Sequence, residues 1–303
     1  MITRDPAQFL AFARGLAGDF GPACAKAAFL VAPEGFALAE QSASDNAYMD
    51  LSVRVDPQRA LAQHRGLQRA LSEDLPTVCF PGDPATPDAL FPNNVFGTAP
   101  GRLVIGHMRH PVRQREAERA DIRGFFAGAM GYREIDLRAQ PGICELTGSM
   151  VVDRARGLGV VGLGERCDAA GAAAMHEAFG LRATFLFDLA PGEYHANVVM
   201  SVLAGRALVI CPGGFADPAA AAAIAALYAP AVVTLTDAQK AAFAGNCIAL
   251  RSDRVRISQA GADALRPDQV AALAGAGFAL APVPLDEIEK AGGSLRCCVA
   301  EIY

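Results

Sequence analysis

Apolar segments and turn residues alternate along this chain in a repeating order. Four stretches each contain a small polar residue, an apolar strand, a turn with Gly or Asp, and a second apolar strand. These stretches are NNVFGTAPGRLVIGHM (93–108), GSMVVDRARGLGVVGL (148–163), NVVMSVLAGRALVICP (197–212) and NCIALRSDRVRISQ (246–259). The pattern predicts four β-hairpins that begin in the same way.

The starts of these segments recur at a nearly constant interval. The positions that we take as equivalent are Asn46, Asn94, Gly148, Asn197, Asn246 and Cys297. The steps between them are 48, 54, 49, 49 and 51 residues, which is the signature of a repeat architecture.

Helical segments lie between the starts. The stretches 56–73, 169–180 and 217–229 are rich in strong helix formers, and the first and last open with Asp followed by Pro. Five hairpin-plus-helix units, with the last strand completing the first unit, would close into a ring without free sheet edges. We therefore predict an α/β fold, a five-bladed pseudo-symmetric propeller of ββαβ-type repeats around a central cavity. Residues 1–303 are expected to form one domain.

Composition narrows the function classes. The chain has 303 residues, 52% of them hydrophobic, and a net charge of −5 with scattered basic residues. This argues against nucleic acid as a partner. No apolar run is long enough for a membrane span or a signal peptide, which predicts a cytoplasmic protein. The sequence leaves the oligomeric state open, and a homo-oligomer is compatible with it.

The cysteines and glycines give no sign of a metal or cofactor. The eight cysteines show no CxxC pair and no zinc spacing, so most are expected to be small buried residues. The stretch GLGVVG (157–162) fits GxGxxG, but it lies inside a predicted hairpin and opens no helix, unlike a dinucleotide-binding turn. We predict neither a metal ion nor a cofactor.

Three chemically active residues fall at equivalent places in the repeat. Cys297, His195 and Glu145 each lie at or near a strand start, so a propeller would bring them to the same axis. A thiol, an imidazole and a carboxylate are the groups of nucleophilic cysteine catalysis. Taken singly, each has a structural alternative: core packing for the thiol, a hydrogen-bonded core residue for the histidine, a cap or surface charge for the glutamate.

Five motifs carry a family resemblance: FPNNVFGT, LTGSMVVDR, YHANVVM, FAGNCIAL and GGSLRCCVAEIY. In this order they resemble the guanidine-modifying superfamily, whose fold is the five-bladed pentein propeller. That superfamily includes arginine deiminases, dimethylarginine hydrolases and amidinotransferases. The order and sequence of the motifs are most similar to the citrulline hydrolase branch, which is often labelled amidinotransferase. The similarity covers residues 28 to 303.

The resemblance implies a role for individual residues. The nucleophile is the cysteine after arginine, Cys297, and Cys298 would point to the other face of the strand. His195 matches the family histidine, and Glu145 matches the glutamate of an EGxG stretch, with Leu146 where Gly is usual. In MRHPVRQRE (108–116), Arg113 matches an arginine that grips the substrate carboxylate; its alternative is a solvated charge on a helix.

Two asparagines indicate a neutral substrate. Relatives that process arginine carry Asp at the positions of Asn94 and Asn197, where a carboxylate pairs with the guanidinium. An amide instead suits a ureido group, and burying a guanidinium against amides would leave its charge uncompensated. Turn formation is the alternative role for these residues. The best prediction is a hydrolase that converts citrulline to ornithine, carbon dioxide and ammonia.

Other functions remain open on the sequence. One alternative is an arginine or dimethylarginine deiminase or an amidinotransferase; another is a non-catalytic pentein binding protein. Ala32 and Ala39 stand where the branch has Arg and Asn, which leaves open whether the substrate is citrulline or another ureido or guanidino small molecule. An enzyme is expected to hold Cys297 as a low-pKa thiol that reacts faster than the other seven.

Overall fold

The computed structural model describes residues 1–303 and contains sixteen strands and thirteen α-helices. The strands are β1 (Ile2–Thr3), β2 (Ala27–Val31), β3 (Thr77–Phe80), β4 (Phe96–Ala99), β5 (Arg102–Ile105), β6 (Arg133–Asp136), β7 (Met150–Asp153), β8 (Leu158–Leu163), β9 (Ala183–Asp188), β10 (Met200–Leu203), β11 (Ala207–Ile210), β12 (Val232–Thr234), β13 (Ile248–Arg251), β14 (Arg254–Ser258), β15 (Ala279–Val283) and β16 (Ala300–Ile302).

The helices are mostly short. They are α1 (Pro6–Arg14), α2 (Glu40–Ala43), α3 (Pro57–Ser72), α4 (Pro111–Gln114), α5 (Ala120–Gly124), α6 (Leu146–Ser149), α7 (Ala169–Phe179), α8 (Ala196–Val199), α9 (Pro218–Tyr228), α10 (Asp237–Ala241), α11 (Gln259–Ala264), α12 (Pro267–Gly275) and α13 (Asp286–Glu289). Single turns of 3₁₀- or π-helix lie at Pro92–Asn94, Arg115–Glu118, Phe125–Ala129, Leu137–Ala139 and Pro212–Gly214. None of the helices has the length and apolarity that crossing a membrane requires.

The strands form five sheets of one topology. The sheets are β16-β2-β3, β4-β5-β6, β7-β8-β9 with β1 beside β9, β10-β11-β12 and β13-β14-β15. In each, the first two strands are antiparallel and the second and third are parallel. The parallel pair requires a crossover, and in every unit helices lie between those two strands. The four predicted hairpins are therefore present, and β16 completes the first sheet through Ala300 opposite Phe29.

The predicted helix starts follow from their capping residues. Asp56 accepts hydrogen bonds from the Gln58 and Arg59 N–H groups at the start of α3, with Pro57 in the first turn. Asp217 caps α9 in the same way. Each side chain satisfies donors that the helix itself leaves free, and Pro has no N–H to lose at this position.

Hydrogen bonds link neighbouring sheets near the starts of their first strands. The Thr147 hydroxyl donates to the carbonyl of Asn93 at 3.0 Å, and the Asn197 amide donates to the carbonyl of Thr147 at 3.1 Å. Asn246 donates to the carbonyl of Asn197 at 2.8 Å and accepts from the Arg296 N–H at 2.9 Å. These bonds bring together residues about fifty positions apart.

A fifth link joins the remaining pair of sheets. The Thr98 hydroxyl donates to the carbonyl of Glu301 at 2.9 Å.

One of the predicted repeat positions is wrong. Asn46 lies between α2 and α3, and no strand begins directly after it. The hairpin of the first sheet is β16-β2, so Cys297 alone marks its start.

An aromatic cluster fills the core beside the first two sheets. Phe29 on β2 is fully buried and contacts the rings of Phe80, Phe96 and Phe126 at centroid distances of 5.6, 6.3 and 5.5 Å. Edge-on contacts of this kind add to the free energy gained by burying apolar area.

Replacing Phe29 should strongly destabilise the fold. Phe29→Ala is expected to lower the free energy of unfolding by about 3–5 kcal/mol, because it removes the central ring and leaves a cavity. Chemical denaturation measures this change. The control is Phe12→Ala, whose side chain is exposed and should change the value by less than about 1 kcal/mol. Equal effects of the two variants would contradict the core described here.

Candidate active site

Glu145 and His195 occupy matching positions in neighbouring units. Glu145 directly precedes α6 and β7, and His195 directly precedes α8 and β10. Leu146, after the glutamate, has a φ of +27°, a conformation that non-glycine residues rarely adopt. This is the position where the resembled family has Gly, so the backbone keeps the turn despite the side chain.

The two side chains form a fully buried pair. His195 Nε2 lies 2.9 Å from Glu145 Oε2, and both residues have zero exposure. The carboxylate is an acceptor, so it selects the tautomer with the proton on Nε2. His195 Nδ1 then carries a free lone pair, and this nitrogen has no hydrogen-bond partner in the protein.

A glycine keeps the space beside this nitrogen open. A Cβ atom on Gly148 would lie 2.9 Å from His195 Nδ1 and 2.5 Å from Asn94 Oδ1. Asn94 Oδ1 is also buried without a partner. Two unpaired polar atoms therefore face one small space, which is costly unless a bound molecule pairs with them.

Charges around Glu145 keep it ionised. Burial opposes ionisation, but the Arg166 guanidinium, at 3.4 Å, and the His195 hydrogen bond outweigh it and hold the pKa of Glu145 below its usual range. Burial also lowers the pKa of His195, although Glu145 raises it. The imidazole is therefore neutral near pH 7 and able to accept a proton at Nδ1.

The Cys297 thiol is enclosed by amides. Asn246 Nδ2 lies 3.3 Å from Cys297 Sγ, and Asn197 Oδ1 lies 3.7 Å from it. Burial raises the pKa of the Cys297 thiol, outweighing the hydrogen bonds that lower it. This direction is opposite to that of the expected low-pKa thiol, and the side chain is only 1% exposed. Cys298 is also fully buried, and burial raises its pKa well above the usual value.

One small cavity joins Cys297 to Asn94 and to charged residues. Its volume is about 20 Å³, the room of about one water molecule. Its polar lining residues are Ser42, Asn46, Asp88, Asn94, Arg113, Arg166, Tyr194 and Cys297. Charged groups of both signs thus share a cavity with the thiol.

Arg113 reaches this cavity as a buried residue. It is 2% exposed, which excludes the alternative of a solvated helix charge. Its Nε and Nη2 atoms donate to the carboxylate of Glu116 at 2.7 and 2.9 Å, and Nη2 also donates to the carbonyl of Phe91 at 3.1 Å. Burial opposes the charge of Arg113, but the Glu116 carboxylate and its hydrogen bond outweigh burial and raise the pKa of Arg113, so the guanidinium stays cationic.

Two charged residues of this cavity, Asp88 and Arg166, have no sequence pattern that predicts their position. Asp88 is 2% exposed, and its Oδ1 atom is buried without a partner. Arg166 is equally buried and donates to Asp45, Glu145 and the carbonyl of Ser42. Both lie in loops, away from the strand starts that recur along the chain, so the repeat does not mark them as site residues. Asn246 was used only as a repeat mark, although it contacts the thiol.

The two predicted head-group asparagines have different surroundings. Asn94 lines the cavity with a free Oδ1 atom, whereas the Asn197 amide is bonded to Thr147, Asn246 and the thiol. The neighbouring Asn93 is fully buried, and neither of its amide atoms has a partner. Three buried amide atoms without a hydrogen-bond partner therefore belong to the adjacent residues Asn93 and Asn94.

Ala32 and Ala39, which replace the Arg and Asn of the resembled branch, lie outside the cavity. Ala32 follows β2 and Ala39 precedes α2. No group of three or more His, Cys, Asp or Glu side chains is arranged to hold a metal ion.

The sequence is similar to known proteins over most of its length. A family model described as eukaryotic N,N dimethylarginine dimethylhydrolase matches residues 32–303. A dimethylarginine dimethylaminohydrolase of Mycobacterium tuberculosis is 29% identical over 261 residues, covering 85% of this chain and 80% of that protein.

Solved structures show the same mixed α/β fold. The substrate-bound N-terminal domain of ArgZ, a cyanobacterial arginine dihydrolase, superposes with a TM-score of 0.79 at 20% identity, over 91% of this chain and 97% of that one. The structure of a dimethylarginine dimethylaminohydrolase adduct with S-methyl-L-thiocitrulline superposes with a TM-score of 0.70 at 19% identity. The superposition covers 91% of this chain and 99% of that one. The superfamily resemblance is confirmed, while the citrulline hydrolase branch stays a prediction. The chain belongs to the dimethylarginine dimethylaminohydrolase family of the guanidine-modifying superfamily.

Proposed function

We propose that this protein is a cysteine-dependent hydrolase that cleaves a C–N bond in the guanidino or ureido group of an amino acid. In this proposal residues 1–303 form one catalytic domain, with the five sheets arranged as a closed five-bladed propeller. The observation that carries it is the buried Glu145–His195 pair with a free Nδ1 atom, next to the cavity that Asn94 and Cys297 line. A protein that only binds has no need of this arrangement.

The charges of the cavity suit an amino acid. The Arg113 and Arg166 guanidinium groups fit the α-carboxylate, and the free Oδ1 atom of Asp88 fits the α-ammonium group. The side chain of the substrate would then extend toward Asn94 and Cys297. This assignment keeps the carboxylate-binding role predicted for Arg113.

The head group of the substrate is favoured to be neutral. Asp88 is the only carboxylate that lines the cavity, and it is assigned to the opposite end of the substrate. Asn94 offers an amide with a free oxygen, which matches an N–H of a ureido group. Citrulline is therefore our first candidate substrate. The family match favours a second candidate, an N-methylated arginine.

The reaction divides into two steps at Cys297. The Sγ proton moves to His195 Nδ1 as sulfur bonds to the ureido carbon, and Glu145 stabilises the imidazolium that forms. That imidazolium returns the proton to the departing nitrogen when its C–N bond breaks. His195 then takes a proton from water, which hydrolyses the carbamoyl thioester. Citrulline and one water give ornithine, carbon dioxide and ammonia.

Substrate entry requires a segment to move. The cavity is far smaller than an amino acid, and Ser42, Asn46 and Met49 of one segment are among the residues that line it. Asp45, in the same segment, is bonded to Arg166. A substrate carboxylate that reaches Arg166 would replace part of this contact.

Product analysis tests the proposed reaction. Citrulline, N,N-dimethylarginine and arginine are incubated separately with the protein, and ornithine, citrulline, ammonia and dimethylamine are quantified. We expect citrulline to yield ornithine and ammonia. Cys297→Ser should lose at least about 1,000-fold in kcat because it removes the nucleophile.

Cys298→Ala is the matched control for this experiment. It removes the adjacent thiol and should keep kcat within about tenfold of the wild type. If N,N-dimethylarginine is turned over and citrulline is not, the substrate is an N-methylated arginine and the citrulline assignment is wrong. A folded protein without turnover of any of the three compounds would argue for a binding protein.

Asn94→Asp should shift the substrate preference. A carboxylate at this position pairs with a guanidinium and repels the oxygen of a ureido group. The ratio of kcat/KM for arginine to that for citrulline should rise by about 10- to 100-fold, the equivalent of one charge-assisted hydrogen bond. Asn94→Ala, as the control, should lower both values without the shift. An unchanged ratio in Asn94→Asp would place the head group elsewhere.

The alkylation rate of Cys297 should report the raised pKa of its thiol. Only the thiolate reacts, so inactivation of the free protein by iodoacetamide should keep rising with pH beyond the usual thiol value of about 8.5. Mass spectrometry of the modified peptide identifies the residue, and Cys297→Ser is the control. A rate that is already constant between pH 6 and 7 would mean that the thiol is ionised in the free protein.

A further inference from the structure

A second cleft lies at the other ends of the strands that start at the candidate site. The strands β4, β7 and β16 begin beside that site, and the residues that directly follow them, Pro100, Arg154 and Tyr303, line the cleft. Three or four residues of strand separate the two places, which is roughly 13 Å at about 3.3 Å per residue. The cleft is therefore distinct from the cavity of Cys297.

Arg154 is a buried cation without a counter-ion. Its exposure is 7%, and no carboxylate lies within 4.0 Å of it, whereas the nearby Arg156 is paired with Asp153. Among its donors only Nη1 has a protein acceptor, the carbonyl of Thr98 at 3.0 Å. Burying an unpaired charge is unfavourable, so the position is suited to a ligand that supplies the missing negative charge.

A second guanidinium lines the same cleft. Arg102 donates through Nη1 to the carbonyl of Ala178 at 3.0 Å, and it has no carboxylate partner either. No acidic residue lines the cleft. Two guanidinium groups without an acidic side chain give this cleft a positive potential, although the net charge of the protein is −5.

Aromatic rings form the remaining walls. The Arg154 guanidinium lies 4.1 Å from the ring centroid of Tyr303 and 5.2 Å from that of Phe179, and Phe20 closes another side. The volume is about 150 Å³, a size that holds a benzene-sized group. Rings and cations together fit a flat apolar body that carries one anionic group.

We propose that this cleft binds a small organic anion, a carboxylate or phosphate attached to a flat ring. Arg154 and Arg102 hold the anionic group by charge-assisted hydrogen bonds, and the rings of Phe20, Phe179 and Tyr303 contact the body of the ligand. None of these residues lines the cavity of Cys297, so this proposal does not rest on the proposed hydrolase reaction.

Calorimetric titration of the full chain tests this site. The probes are benzoate, phenyl phosphate and the neutral isostere benzamide. We expect saturable binding of at least one anion, at least about tenfold tighter than benzamide, because the guanidinium groups recognise the charge. A preference for benzoate or for phenyl phosphate identifies which anion the site takes, and either supports the proposal. Equal binding of benzamide, or no saturable binding, would overturn it.

Variants locate the binding. Arg154→Gln and Arg102→Gln should each weaken anion binding by at least about tenfold. Arg102 is only partly buried, so Arg102→Gln carries the test if Arg154→Gln does not fold. The charge control is Arg251→Gln, an exposed arginine outside the cleft that should leave binding unchanged. If Arg102→Gln binds like the wild type, or Arg113→Gln abolishes binding instead, the anion occupies another place.

Discussion

Hydrogen bonds between the starts of neighbouring units are the constraint on which this structure depends. Thr147, Asn197 and Asn246 each connect one unit to the next through an amide or hydroxyl group and a main-chain carbonyl. These groups are buried, so each bond also satisfies atoms that would otherwise be costly to remove from water. Two of these residues, Asn197 and Asn246, also contact the Cys297 thiol, which couples the integrity of the fold to the geometry of the candidate site.

The electrostatics of the site explain how a buried thiol and a neutral imidazole can coexist near an ionised carboxylate. Arg166 compensates the charge of Glu145, and Glu145 in turn fixes the His195 tautomer. Burial disfavours both the thiolate and the imidazolium. Under the proposed function, the proton leaves sulfur only when a substrate carbon is available, which protects the thiol from other electrophiles.

The sequence predicted those features that have a periodic or local physical signal. The hairpins follow from alternating apolar segments, and the starts of α3 and α9 follow from Asp and Pro. The phase of the repeat identified Glu145, His195 and Cys297. Asp88 and Arg166 lie in loops whose path is set by tertiary contacts, so no pattern marked them. The raised pKa of the thiol was missed for a similar reason, since it depends on burial rather than on residue type.

The pairing of β16 with β2 also has a consequence for how the chain reaches its native state. Ala300 lies opposite Phe29, so the first sheet stays incomplete until the chain has been synthesised to a strand 271 positions further along. Such non-local pairing slows folding, and an unpaired edge can associate with other chains in the meantime. Expression at low temperature or with chaperones is therefore expected to improve the yield of folded protein.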